Sequence, residues 1–186
     1  MAMNRRDAIK SFALMMGGAM VGANVIFTGC TPEDQIVGLE FSPEQIAFLD
    51  EIGEAIIPTT DTPGAKAVGI GEFMVMMVKD TYNAEQQTSF VDGLNFIRKD
   101  FKTSKGSDFM EATLEERTAY LNELKAKATA DAEDKNAGVI KMLQDLTVLG
   151  YFTSEVGATQ QLRYYEVPGK YDPCIEYKPG DKAYAI

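Results

Sequence analysis

The sequence predicts an all-α protein, a small helical bundle followed by an irregular, tyrosine-rich C-terminal tail. Apolar residues recur at three- and four-residue spacing in one segment after another, which is the period of a helix. Several of these segments begin with a capping box, and none shows the alternation of a strand. With 186 residues, of which 45% are hydrophobic, the chain can form one domain with a modest core.

The first 29 residues have the features of an export signal. Arg5 and Arg6 are adjacent and precede an apolar run, residues 12–27, which glycines interrupt. A membrane-spanning helix needs roughly 20 apolar residues, so this run is too short to span but suits the hydrophobic part of a signal peptide. We therefore predict a twin-arginine signal over residues 1–29. The alternative is an ordinary secretory signal, in which the two arginines only supply positive charge.

The signal ends in Thr28-Gly29-Cys30, and small residues before a cysteine are typical of a lipoprotein signal. In such a signal Cys30 is lipidated and becomes the new N-terminus, and residues 30–40 would form a polar tether. Several acyl chains together give firm membrane attachment. Phe27 departs from the aliphatic residue usual at that position. We expect a membrane-tethered lipoprotein on the periplasmic or cell-envelope side; an uncleaved signal anchor is the alternative.

The globular domain is predicted over residues 41–186. Its first helix should begin at Ser42-Pro43, where Gln45 completes a capping box, and should end before Pro58. Two further helices should begin at Asn83 with Gln86 and at Thr113 with Glu116.

An apolar run at residues 73–78 should form another helix, and a last apolar stripe runs from Val139 to Leu149. We expect Gly150 to end that last helix as its C-cap, so the tail would start at about residue 151. The stretch at residues 58–64 contains two prolines and is predicted to be a rigid loop. It holds one carboxylate, Asp61, so turn and capping roles are favoured over a cation site.

Composition excludes several classes of function. The chain has no histidine, the residue that most often serves as a general base and as a zinc or haem ligand. Its formal net charge of -10 disfavours binding to nucleic acid or to anionic headgroups. No phosphate loop, paired nucleophile and base, haem motif or metal-ligand cluster is present. The residues alone therefore indicate a non-catalytic, exported helical protein, with no cofactor and no metal of its own.

The tail holds most of the aromatic residues that a partner could contact. Tyrosine is favoured at protein interfaces because it covers a large area and keeps a hydroxyl for hydrogen bonding. An unpaired cysteine in an exported protein suggests a disulfide with another chain. Cys174 would be the one remaining thiol of this chain once Cys30 is lipidated. The alternatives, that the tail covers its own bundle and that Cys174 is a free thiol, stay open. The predicted interface residues are Tyr151, Phe152, Tyr164, Tyr165, Tyr171 and Cys174.

Several motifs resemble those of the gluconate 2-dehydrogenase subunit 3 family. They are IIPTTDTPGA at residues 56–65, GYFTSE at 150–155, GATQ at 157–160 and PGKYDPC at 168–174, together with the twin-arginine start. The resemblance implies an accessory subunit of a large flavoprotein of the glucose-methanol-choline class, often with a cytochrome c subunit. By that resemblance FAD and the substrate, a sugar, sugar acid or other alcohol, belong to the partner. The alternative function is a free-standing, membrane-tethered lipoprotein that binds a periplasmic ligand.

Overall fold

The computed structural model describes residues 39–130, 137–167, 169–170, 174–176 and 178–185. Within these ranges the protein is a bundle of five α-helices, as the sequence predicts. A short 3-10 helix, Ala65–Val68, lies between the first two helices, and a π-helical turn, Gly157–Gln161, follows the last. The α-helices are α1 Pro43–Ile56, α2 Ile70–Thr81, α3 Ala84–Lys105, α4 Leu114–Ala130 and α5 Ala137–Thr153.

The predicted capping boxes are present in the structure. At the start of α1 the Gln45 N–H donates to the Ser42 hydroxyl at 3.3 Å, and the Ser42 N–H donates back to the Gln45 side-chain oxygen at 2.8 Å. Each box satisfies two N–H groups that a helix would otherwise leave without partners, and an N-cap of this kind contributes about 1 kcal/mol. The same reciprocal bonds join Asn83 to Gln86 and Thr113 to Glu116.

Helix α5 lies at the centre of the bundle and packs against each of the other four helices. Leu143, Leu146 and Tyr151 are almost fully buried along it. Thr147 is also buried, and its hydroxyl donates to the Leu143 carbonyl oxygen at 2.6 Å, so this polar group is satisfied within the helix. A helix that is buried against several neighbours must be apolar on more than one face, and α5 meets that requirement.

Gly150 does not end α5, so its predicted role as a C-cap is wrong. The helix continues to Thr153, and Gly150 is buried within it. A Cβ atom on Gly150 would lie 2.4 Å from Ile70 Cδ1 and 2.5 Å from Phe73 Cδ1. Glycine is therefore needed here because α2 approaches the α5 backbone closely. As a result Tyr151 and Phe152 belong to the helix, and the irregular tail starts later than expected.

A two-stranded parallel sheet follows the π-helical turn. Strand β1, Arg163–Tyr164, pairs with β2, Tyr184–Ala185. The Arg163 N–H donates to the Ala183 carbonyl at 2.8 Å, and the Tyr165 N–H donates to the Ala185 carbonyl at 3.0 Å. No sequence pattern predicted these strands, because two residues are too few to show a period. Among the described helices, none has both the length and the hydrophobicity that crossing a bilayer requires.

Substitution of Gly150 tests whether it is a packing residue. We expect Gly150→Ala to lower the free energy of unfolding by about 1–3 kcal/mol, because the added methyl group overpacks the contact with α2. Gly138→Ala is the matched control, since Gly138 also lies in α5 and nothing lies within 4 Å of its Cβ position. It should be neutral or slightly stabilising. Urea unfolding followed by circular dichroism measures both; a stabilised Gly150→Ala variant would contradict the packing role.

Candidate functional site

Two motifs that are far apart in the sequence meet in the fold. Residues 58–64, which we call the signature loop, lie against the end of α5 and the turn that follows it. The Tyr151 hydroxyl donates to the Pro63 carbonyl oxygen at 2.8 Å. The Gln161 side-chain amide donates to the Thr62 hydroxyl. The motifs at residues 56–65 and 150–160 therefore contribute to one site.

A carboxylate on α1 accepts hydrogen bonds that hold the signature loop in its conformation. Glu54 accepts hydrogen bonds from the Thr59 N–H at 2.8 Å and from the Lys66 N–H at 3.1 Å. The Thr59 hydroxyl in turn accepts the Gly64 N–H at 3.0 Å. A Cβ on Gly64 would lie 2.5 Å from both Glu54 Oε2 and the Thr59 nitrogen, so only glycine fits. Both ends of the loop are thus fixed to the same side chain.

An ion-pair network ties the same end of α1 to α4. The buried Arg117 donates to the carbonyl oxygens of Phe109 at 2.7 Å and of Met110 at 2.8 Å, and it forms an ion pair with Glu51. Lys66 forms a second ion pair with Glu51 at 2.5 Å. Burial by itself raises the pKa of the Glu51 carboxyl, but the hydrogen bond from Lys66 and the charge of Arg117 outweigh burial and lower it. Glu51 is therefore ionised and bridges two cations.

Beyond Gln161 the chain forms what we call the C-terminal arm, the described residues from 162 to 185. The guanidinium of Arg163 lies 5.2 Å from the centre of the Tyr184 ring, and it donates to the Tyr184 hydroxyl at 3.0 Å. The Tyr165 and Tyr184 rings are 5.7 Å apart. Val167 and Ile175 are also exposed on the arm. Apolar and aromatic residues grouped on a surface in this way are typical of a binding face.

The structure separates the predicted interface residues into two groups. The Tyr151 side chain is inside the bundle, with 1% of its surface exposed, where it positions the signature loop. Phe152, Tyr164, Tyr165 and Cys174 are exposed. Neighbouring aromatic residues at 151 and 152 looked equivalent in sequence because the helix was expected to stop before them. Tyr171, Arg5, Arg6 and Cys30 lie outside the described residues.

Sequence reasoning missed Gln161 and Glu54, which connect the signature loop to the rest of the site. A glutamine after a turn and a glutamate in a helix give no distinctive pattern, so only their partners in the fold reveal their roles. Among the described residues, no group of three carboxylate or cysteine side chains is arranged to hold a metal ion. What the site offers is a rigid loop beside an exposed aromatic surface, an arrangement suited to binding another protein.

Replacing Tyr151 tests the link between α5 and the signature loop. We expect Tyr151→Phe to lower the free energy of unfolding by about 0.5–1.5 kcal/mol, because the hydrogen bond to Pro63 is lost while the packing stays. Tyr165→Phe is the control, since the Tyr165 ring is exposed and should change stability by less than about 0.5 kcal/mol. Equal effects of the two substitutions on urea unfolding would show that the Pro63 bond contributes nothing.

Comparison with known proteins agrees with the resemblance seen in the sequence. No curated protein and no solved structure matches the chain significantly. A family model described as Gluconate 2-dehydrogenase subunit 3 matches residues 43–169. The match begins at the first residue of α1, extends into the C-terminal arm and includes both motifs of the site. Because it covers more than half of the 186 residues, the chain belongs to the gluconate 2-dehydrogenase subunit 3 family.

Proposed function

We propose that the protein is a non-catalytic accessory subunit that binds a large FAD-dependent dehydrogenase of the glucose-methanol-choline class. The family match over residues 43–169 carries this proposal, because the family description names a subunit of a dehydrogenase. The partner would hold FAD and oxidise a sugar, sugar acid or other alcohol, and a cytochrome c subunit would accept its electrons in complexes that contain one. This chain would supply binding surface and no catalytic group.

The C-terminal arm is the surface that we assign to the flavoprotein. Its exposed tyrosines cover a large area at a low cost in side-chain entropy, and Arg163 adds a cation that is held in place by Tyr184. The interface would consist of Phe152, Tyr164, Tyr165, Tyr171 and Cys174. Tyr151 would act from inside the bundle by fixing the signature loop beside this surface.

Export and anchoring complete the proposed role. Arg5 and Arg6 would direct the chain to the twin-arginine pathway, which carries folded proteins, and the bound flavoprotein would travel with it without a signal of its own. Lipidation of Cys30 would then hold the complex at the membrane on the periplasmic or cell-envelope side. This part of the proposal is supported by the sequence motifs of residues 1–30.

The export role is tested by replacing both Arg5 and Arg6 with Lys. We expect the flavoprotein and this chain to be lost from the periplasm together, because the pathway recognises the arginine pair and the partner depends on it. Dehydrogenase activity and both polypeptides are measured in periplasmic and membrane fractions of cells that express the two proteins. Cys30→Ala is the companion variant and should leave export intact while it either releases the complex from the membrane fraction or blocks processing of the signal. Normal export of the flavoprotein with the Lys-Lys variant would refute the escort.

The interface is tested by the double substitution of Tyr164 and Tyr165 with Ala. We expect the complex with the flavoprotein to weaken by roughly tenfold or more, since truncated interface tyrosines commonly cost above about 1 kcal/mol each. Met76→Ala, at an exposed apolar residue on α2, is the control and should leave affinity unchanged. Non-reducing electrophoresis of the same complexes shows whether Cys174 forms a disulfide with the partner. Unchanged affinity after loss of both tyrosines would remove the arm from the interface.

A further inference from the structure

A groove runs along the outside of the bundle between α4 and α5 and ends against α1. It consists of two adjoining hollows of about 640 Å³ and 420 Å³, and both are lined by Lys125 and Gln144. The two hollows therefore adjoin at these residues, and we call them together the groove. Its apolar lining includes Ile56, Leu121, Ile140, Val148 and Leu149.

The exposed apolar residues of α5 form one wall of this groove. Val148 is 47% exposed and Leu149 is 45% exposed, although α5 is the central helix of the bundle. Phe152, which is also exposed, lies four residues beyond Val148 and so on the same side of the helix. Because Phe152 is one of the residues that we assign to the flavoprotein interface, the groove lies next to that interface. No other described segment covers these side chains.

The charges around the groove indicate what would complement it. Lys141 and Asp145 on its rim form an ion pair with each other at 2.8 Å. Lys125 lies where the two hollows meet, and among the described residues no carboxylate is within ion-pair distance of it. The chain as a whole has 28 acidic and 18 basic residues, so a lysine that has no acidic partner among the described residues is notable at this position. A complementary occupant would place a carboxylate opposite Lys125.

The length of the groove matches a short helix. Its lining residues on α5 extend from Gly138 to Leu149, a rise of about 16 Å, or three helical turns. A helix in such a groove inserts apolar side chains at positions i, i+3 or i+4, and i+7, while its polar side stays in water. The groove has apolar residues along its length and a lysine between its two parts, which fits a helix with one apolar face and an acidic residue near its middle.

We infer that this groove binds an amphipathic helix of the flavoprotein, with an acidic side chain of that helix paired to Lys125. The occupant rests on the proposed function, because it belongs to the same partner that binds the C-terminal arm. The subunit then holds the flavoprotein at two places, the arm and the groove, and Phe152 contributes to the interface next to the groove. Two linked contacts bind more tightly than either alone, since the second forms within the complex.

Groove and control variants of the full chain, bound to the purified flavoprotein, test this inference. We expect Leu149→Asp and Lys125→Glu each to raise the dissociation constant roughly tenfold or more, because one buries a charge and the other reverses one. Met76→Asp and Lys102→Glu make the same changes at exposed positions on α2 and α3 and should bind as the wild type does. Melting temperatures of the isolated variants confirm that all of them fold.

Identification of the occupant completes the test. A photoreactive residue at position 149 should cross-link to a helix of the flavoprotein, and exchange of an acidic residue on that helix for Lys should restore binding of Lys125→Glu. Groove variants that bind like the controls would overturn the inference while the proposed function stands. Cross-linking to a second copy of this chain, with loss of a dimer in Leu149→Asp, would also overturn it. If the wild-type chain binds no flavoprotein, the proposed function and the inference both fail.

Discussion

The burial of α5 against its four neighbours is the constraint on which the other features depend. Each large apolar side chain that it buries contributes about 1.5–3 kcal/mol, more than the roughly 1 kcal/mol expected of a typical hydrogen bond. Burial therefore determines where α5 lies, and hydrogen bonds then determine the conformation of the signature loop that packs against it. The position of α5 brings Gly150 against α2 and the Tyr151 hydroxyl within hydrogen-bond distance of the Pro63 carbonyl oxygen. It also places Val148 and Leu149 in the lining of the groove.

The polar groups around the signature loop contribute mainly to its geometry. A buried ion pair gains little net free energy, because removing both charges from water costs about as much as their attraction returns. Glu51 and Glu54 nevertheless accept hydrogen bonds from defined donors, including main-chain N–H groups of residues 59 and 66. Removing Glu51 would leave the buried Arg117 without its carboxylate partner. The network thus allows one loop conformation, and Tyr151 and Gln161 transmit that conformation to the start of the arm.

The proposed role follows from what this arrangement presents to solvent. The bundle leaves both the arm and the groove exposed, and both contain apolar side chains that water solvates poorly. In the proposed role, holding a flavoprotein and accompanying it across the membrane would require surfaces of this kind together with the export signal.

The sequence by itself determined the helices and the starts of three of them, because a capping box and an apolar stripe depend on residues three or four positions apart. It also determined the family, because each of the family's motifs is a run of consecutive residues that can be recognised without the fold. Tertiary structure decided that Gly150 lies inside α5, in close contact with α2. A glycine after an apolar stripe is compatible with either a C-cap or a close helix contact, so the sequence alone could not distinguish the two. Tertiary structure also decided that the motifs at residues 56–65 and 150–160 meet: Pro63 and Tyr151 are 88 positions apart, and only the packing of α5 brings them together.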